Sequence, residues 1–83
     1  MTVYTIEILG RDYYAEPQLY WAGVDEAEAR RLYGLEDPTA ELAPDLGGSW
    51  EEVILCSWVQ GKSKTEGLER RDERRRRLAG EAA

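Results

Sequence analysis

The chain has no histidine and only one cysteine among its 83 residues. Histidine is the commonest general base and metal ligand in proteins, so its absence removes the usual Ser-His and Cys-His arrangements of nucleophilic catalysis. Cys56 cannot form an intramolecular disulfide, and its apolar neighbours are typical of an inert, buried thiol. The sequence therefore disfavours an enzyme, and we predict no catalytic residue, no metal site and no cofactor.

Long apolar runs are also missing from the sequence. No stretch approaches the roughly 18 apolar residues that would span a bilayer, and the opening MTVYTIEILG lacks the basic region and apolar core of a signal peptide. With no cysteine pairs to oxidise, the chain is expected to be a cytoplasmic protein without membrane contact. A chain of 83 residues has room for one small domain.

Charge is present in quantity but unevenly divided. Residues 1–61 contain 3 Lys/Arg against 12 Asp/Glu, a balance of −9, and residues 62–83 contain 8 against 5, a balance of +3, which together give the net charge of −6. The sequence is therefore expected to form an acidic core domain over 1–61, followed by a charged, Arg-rich tail over 62–83. Such an acidic body should be steered toward a basic partner surface.

The apolar pattern predicts an α+β fold with a small, three-stranded, largely antiparallel sheet. Residues alternate over 2–9, which indicates a half-buried strand, and a second strand interrupted at Pro17 follows a turn at 10–12. The segment 50–60 reads as a central strand because both of its faces carry apolar residues. In that alternation Trp50 shares a face with Ile54, Cys56 and Trp58.

Two helices complete the predicted fold. Asp25 and Glu28 form a capping box and Gly34 is placed to end the helix, so a helix packed on the sheet is expected over about 25–34. The segment Ser63-Lys64-Thr65-Glu66 matches a second capping box and predicts a solvated helix over about 64–78. Three of its acidic residues lie four positions before an arginine, which is the spacing and order that favour ion pairs along a helix. The predicted pairs are Glu66 with Arg70, Asp72 with Arg76, and Glu73 with Arg77.

Two groups of residues are candidates for binding. The first combines aromatic anchors with carboxylates that would face a basic partner protein. Its members are Asp12, Tyr13, Tyr14, Glu16, Tyr20, Trp21, Asp25, Glu26 and Glu28. The second is an arginine cluster that could contact nucleic-acid phosphates or a protein. Its members are Arg70, Arg71, Arg74, Arg75, Arg76 and Arg77.

A short acidic chain with Tyr and Trp but no Phe, and with no catalytic constellation, resembles the small accessory proteins that phages encode against host defences, including anti-CRISPR proteins. The resemblance implies a non-enzymatic inhibitor or adaptor in the host cytoplasm, whose acidic body docks a basic surface of a nucleoprotein defence complex. One alternative is a nucleic-acid-associated protein that uses the arginine cluster. Another is a small phage structural or assembly protein that acts as a homo-oligomer, such as a homodimer.

Overall fold

The computed structural model describes residues 1–10, 17–46 and 49–80, and it has an α+β fold. Its sheet is antiparallel throughout, with four strands in the order β2-β1-β3-β4. The elements along the chain are β1 (Thr2–Gly10), β2 (Gln18–Gly23), α1 (Glu26–Tyr33), two 3-10 turns (Pro38–Ala40 and Pro44–Leu46), β3 (Trp50–Val59), β4 (Lys62–Arg70) and α2 (Arg71–Gly80).

The expectation of three strands was wrong, because residues 62–70 form a fourth strand instead of the start of a helix. Gln60 and Gly61 both have positive φ angles, 52° and 79°, as the tight two-residue turn of a hairpin requires. This turn sends the chain back along β3. The Ser63-Lys64-Thr65-Glu66 segment is consequently extended and caps nothing, and the C-terminal helix begins only at Arg71.

The first helix was predicted correctly and packs on one face of the sheet. The Asp25 side chain accepts a hydrogen bond from the Glu28 amide at 3.2 Å, as a helix N-cap does. At the other end, the Gly34 amide donates to the Arg30 carbonyl at 3.0 Å. Between these ends, Ala29 and Leu32 are buried.

The core lies between the sheet and the elements on this same side. Its buried members are Ile6, Ile8, Ala29, Leu32, Ala43, Leu46, Trp50, Val53 and Leu55. Trp50 joins them because a bulge shifts the β1–β3 register: Leu9 pairs with Glu52, whereas Gly10 pairs with Trp50. The extra residue turns Trp50 onto the face of Val53. Its predicted place beside Ile54, Cys56 and Trp58 was therefore wrong.

A single buried arginine anchors α2 to this core side. Arg74 is fully buried, whereas the rest of the helix is exposed or half-buried. Its Nη1 donates to the Leu35 carbonyl at 2.6 Å, and its guanidinium carbon lies 4.8 Å from the centre of the Tyr33 ring. Its Nε lies 2.9 Å from Oε1 of Glu69. The helix was predicted to be solvated, and it is so except at this anchor.

Candidate functional site

The face of the sheet opposite the core is covered by none of the described elements. Strand register places side chains from all four strands on this side. We call it the open face, and its residues are Val3, Thr5, Glu7, Leu9, Leu19, Ala22, Glu52, Ile54, Cys56, Trp58, Ser63, Thr65, Leu68 and Arg70. It was not predicted as a site.

One row of the open face crosses the whole sheet and is largely apolar. Leu19 pairs with Glu7, Glu7 with Ile54, and Ile54 with Leu68. Leu19 and Leu68, at the two ends of the row, are 60% and 52% exposed. Single exposed apolar residues are normal on protein surfaces, but apolar residues grouped on one uncovered face are typical of an interaction site.

Trp58 gives the open face a fixed aromatic group. Its indole Nε1 donates a hydrogen bond to the Thr5 hydroxyl at 3.0 Å, so the ring is tied across β3 to β1. The residue still exposes 37% of its surface. A partly exposed tryptophan whose orientation is already fixed loses little conformational entropy when a partner covers it. Such a residue is a suitable anchor for protein binding.

Cys56 lies near the centre of the open face, in register with Thr5 and Thr65. Burial raises the pKa of its thiol, and the negative charge of Glu7 raises it further, although the two threonine hydroxyls act in the opposite direction. The thiol is therefore protonated at neutral pH. A buried, protonated cysteine is a small apolar side chain and a poor nucleophile.

Glu7 is the one carboxylate within the apolar row. It is half-buried, and it forms no hydrogen bond or ion pair with any residue in the described ranges. Its neighbours across the strands are Leu19 and Ile54. Alternation along β1 places it opposite the buried Ile6 and Ile8. The apolar row of the open face therefore contains one carboxylate that has no ion-pair partner among the described residues.

The two edges of the sheet are less suited to binding than its face. The outer strand β4 carries Lys62 and Lys64 and contains a bulge at Glu66, since Leu55 pairs with Gly67 and Cys56 with Thr65. The other edge strand, β2, is only six residues long and has its own register shift. Lysines, bulges and short length all discourage addition of a further strand.

The members of the predicted acidic and aromatic group that the structure describes already make contacts within the fold. Four of its members, Asp12, Tyr13, Tyr14 and Glu16, lie outside the described residues. Tyr20 and Trp21 are partly buried and pack against the core. Asp25 caps α1. The two remaining members are ion-paired on α1.

The ion pairs of α1 link the helix to its neighbours. Glu26 accepts from Arg30 at 3.0 Å, and Glu28 accepts from Arg31 at 2.7 Å. Arg30 also lies 3.6 Å from Glu66 of β4. A hydrogen bond from Ser57, at 2.7 Å, is the main cause that lowers the pKa of Glu66. These carboxylates therefore already have partners within the fold, which makes them weaker candidates for contact with another protein.

The arginine cluster divides into structural and exposed members. Arg74 is buried, and Arg77 donates two hydrogen bonds to Glu69 at 2.8 and 3.0 Å. None of the three predicted helical pairs forms among the described residues: Glu66 contacts Arg30, Arg77 contacts Glu69, and Asp72 makes no ion pair with Arg76. Four arginines are left at the surface of this region. They are Arg70, Arg71, Arg75 and Arg76.

These four arginines line three surface hollows in which acids balance them. The hollows have volumes of about 70, 210 and 350 Å³, and each is lined by two arginines and two carboxylates. In the second, for example, Arg71 and Arg75 face Glu36 and Asp37. A carboxylate beside each arginine reduces the attraction for phosphate. The described part of the cluster therefore does not form a uniformly basic surface.

Comparison with known protein families, with curated proteins and with solved structures returns no match. Within the described residues, no group of three or more Cys, Asp or Glu side chains is arranged to hold a metal ion. No helix in the same part of the chain has the length and apolar character needed to cross a membrane.

Proposed function

We propose that this chain is a non-enzymatic protein-binding module whose open face docks on a partner protein. The observation that carries the proposal is the exposure of Leu19 and Leu68, with the fixed ring of Trp58, on a face that no described element covers. Burying one leucine side chain contributes about 1.5–3 kcal/mol, so a few such residues can supply much of the affinity of an interface.

The charge of the molecule indicates which kind of partner would fit. The chain carries −6 overall, and residues 1–61 carry −9. The open face itself has Glu7 and Glu52 against Arg70. We therefore propose a partner protein with an apolar patch bordered by Lys or Arg. The resemblance to anti-defence proteins suggests a concrete case, which is the basic nucleic-acid-binding surface of a host defence complex in a reducing cytoplasm.

Direct nucleic-acid binding has less support as a function. The exposed arginines share each hollow with an equal number of carboxylates. On the open face, Glu7 and Glu52 would repel a phosphate backbone, and Trp58 is the one aromatic residue available for base stacking within the described part of that face.

Capture of partners with matched variants tests the proposal. Proteins are captured from a lysate of the source cells with four versions of the chain: the wild type, Leu19→Lys, Leu68→Lys and the control Glu73→Lys. The control changes an exposed position on α2. A specific partner should bind the wild type and the control. Each leucine variant should bind at least about tenfold more weakly, because it loses one buried side chain and gains a charge that repels a basic partner.

Salt provides an independent check on the charge of the partner. Affinity should fall as ionic strength rises, since screening weakens attraction between an acidic and a basic surface. A partner that binds both leucine variants as tightly as the wild type would contradict docking on the open face. Affinity unchanged by salt would contradict the basic partner.

A further inference from the structure

The position of Glu7 restricts what can dock on the open face. The carboxylate lies between Leu19 and Ile54 in a row of apolar side chains, and it has no hydrogen-bond or ion-pair partner among the described residues. A partner that covered this row would remove water from Glu7. Burying an ionised carboxylate without a compensating donor is strongly unfavourable, whereas a Lys or Arg placed against it offsets that cost.

A second copy of the chain cannot supply this compensation readily. In a two-fold contact the same patch faces itself, so residues near the centre of the patch meet their own copies or close neighbours. Glu7 is central, on an inner strand, and would approach its own copy. Arg70 lies at a corner of the face, at the end of the edge strand β4, and two-fold symmetry carries a corner to a corner. The two Glu7 carboxylates would repel each other without a cation between them.

We propose that Glu7 is the specificity-determining residue of the open face, where it requires a Lys or Arg from a heterologous protein partner and prevents docking of a second copy of this chain. The inference rests on the proposed function of the open face as a protein-binding surface. Unpaired charges placed against an unwanted partner are a known source of specificity, and here the same charge would also select the partner.

Self-association of purified variants tests exclusion of the second copy. Sedimentation velocity over a concentration series compares the wild type with Glu7→Gln, Glu7→Leu and the control Glu73→Leu, which adds an equally apolar side chain on exposed α2. We expect a monomeric wild type and control, and an association constant for Glu7→Leu at least about tenfold higher. A wild type that dimerises through the open face would overturn the proposal that Glu7 excludes a second copy. A Glu7→Leu chain as monomeric as the wild type would overturn it as well.

Selected peptides test the requirement for a cation. A displayed library of random peptides is selected on the wild-type chain and counter-selected on Leu68→Lys, which retains only peptides that need the open face. We expect these peptides to contain Lys or Arg and to bind Glu7→Gln at least about tenfold more weakly, with no change for Glu73→Gln. Replacing that basic residue by Gln should cause the same loss, and the two changes together should cost little more than either alone.

The outcomes separate the inference from the function on which it rests. Peptides that depend on Leu68 but bind Glu7→Gln as tightly as the wild type would overturn the role of Glu7 and leave the open face as a docking surface. Failure to select any peptide that depends on Leu68 would count against the role of Glu7 and also against the open face as a docking surface. Urea unfolding of Glu7→Gln and Glu7→Leu confirms that each variant is folded before binding is compared.

Discussion

Neutralising Glu69 should destabilise the fold strongly, although this residue lies on the edge strand β4. Arg74 is fully buried, and the Glu69 carboxylate, 2.9 Å from its Nε, is its closest compensating charge. Nε and Nη2 of Arg74 donate no hydrogen bond within the described structure. Glu69→Gln would keep the shape of the side chain but leave the guanidinium without a counter-charge.

The expected cost follows from burial of the pair. Removing one partner of a buried ion pair typically costs about 3–5 kcal/mol, and because Glu69 is 14% exposed and Nη1 of Arg74 keeps its bond to Leu35, we expect about 3 kcal/mol. A domain of this size is stable by roughly 5–10 kcal/mol, so the loss would be a large fraction of the total. With a urea m-value of about 1 kcal/mol/M, the midpoint should fall by up to about 3 M.

Urea unfolding followed by tryptophan fluorescence measures these changes, with Glu73→Gln as the control at an exposed carboxylate. Arg74→Met removes the charge but keeps an unbranched side chain against Tyr33, so the double variant Glu69→Gln/Arg74→Met should recover most of the stability. A loss of stability below about 1 kcal/mol for Glu69→Gln would contradict the role of Glu69 as the counter-charge of Arg74. A double variant less stable than Glu69→Gln alone would contradict that role equally.

Two further predictions concern the same side of the sheet. Gly67→Ala should destabilise the protein by about 1–3 kcal/mol, because the new Cβ would stand 2.8 Å from the Tyr33 hydroxyl oxygen. Thermal unfolding measures this loss. Adding Tyr33→Leu, which removes the hydroxyl, should restore part of the lost stability. Glu66 and Glu69 have lowered pKa values, from the Ser57 hydrogen bond and from the Arg77 hydrogen bonds respectively. Their contribution to stability is therefore complete above the ordinary glutamate pKa of 4.5, and it is lost as the pH falls through the lower pKa values of the folded state. At pH values below about 4.5 the urea concentration at the unfolding midpoint should therefore decrease. This decrease should be smaller in the double variant Glu66→Gln/Glu69→Gln.

The sequence was sufficient for the elements that have strong local signals. Alternation in β1, the capping pattern of α1 and the apolar run of β3 each identify their element. The strand β4 was not predicted because Leu68 is its one large apolar residue, so the segment shows no apolar alternation. Ser63 and Glu66 also match the spacing of a helix capping box. The Gln60-Gly61 pair between 50–59 and 62–70 was the available signal for a hairpin, since glycine readily adopts the positive φ that the turn requires.

The open face could be predicted only in part. Alternation places Glu7 on the face of β1 opposite Ile6 and Ile8, and it places Ile54 with Trp58. Pairing Glu7 with Leu19, however, depends on a shift of register between Ile6 and Glu7, and pairing Ile54 with Leu68 depends on the strand that was missed. Bulges have no reliable signature in a single sequence, so the row across the sheet became visible only in three dimensions.

The strand order also has a consequence for how the chain folds. Strands β1 and β2 are neighbours in sequence, as are β3 and β4, so each pair can form early as a local hairpin. The ladder between β1 and β3 joins residues as distant as Thr2 and Val59, which are 57 positions apart, and it must close a long loop. Such non-local pairing is the slow part of folding. Because Leu19 belongs to one hairpin and Leu68 to the other, only a chain that has completed this joining step has both on one face, and the proposed docking surface therefore exists only in the finished fold.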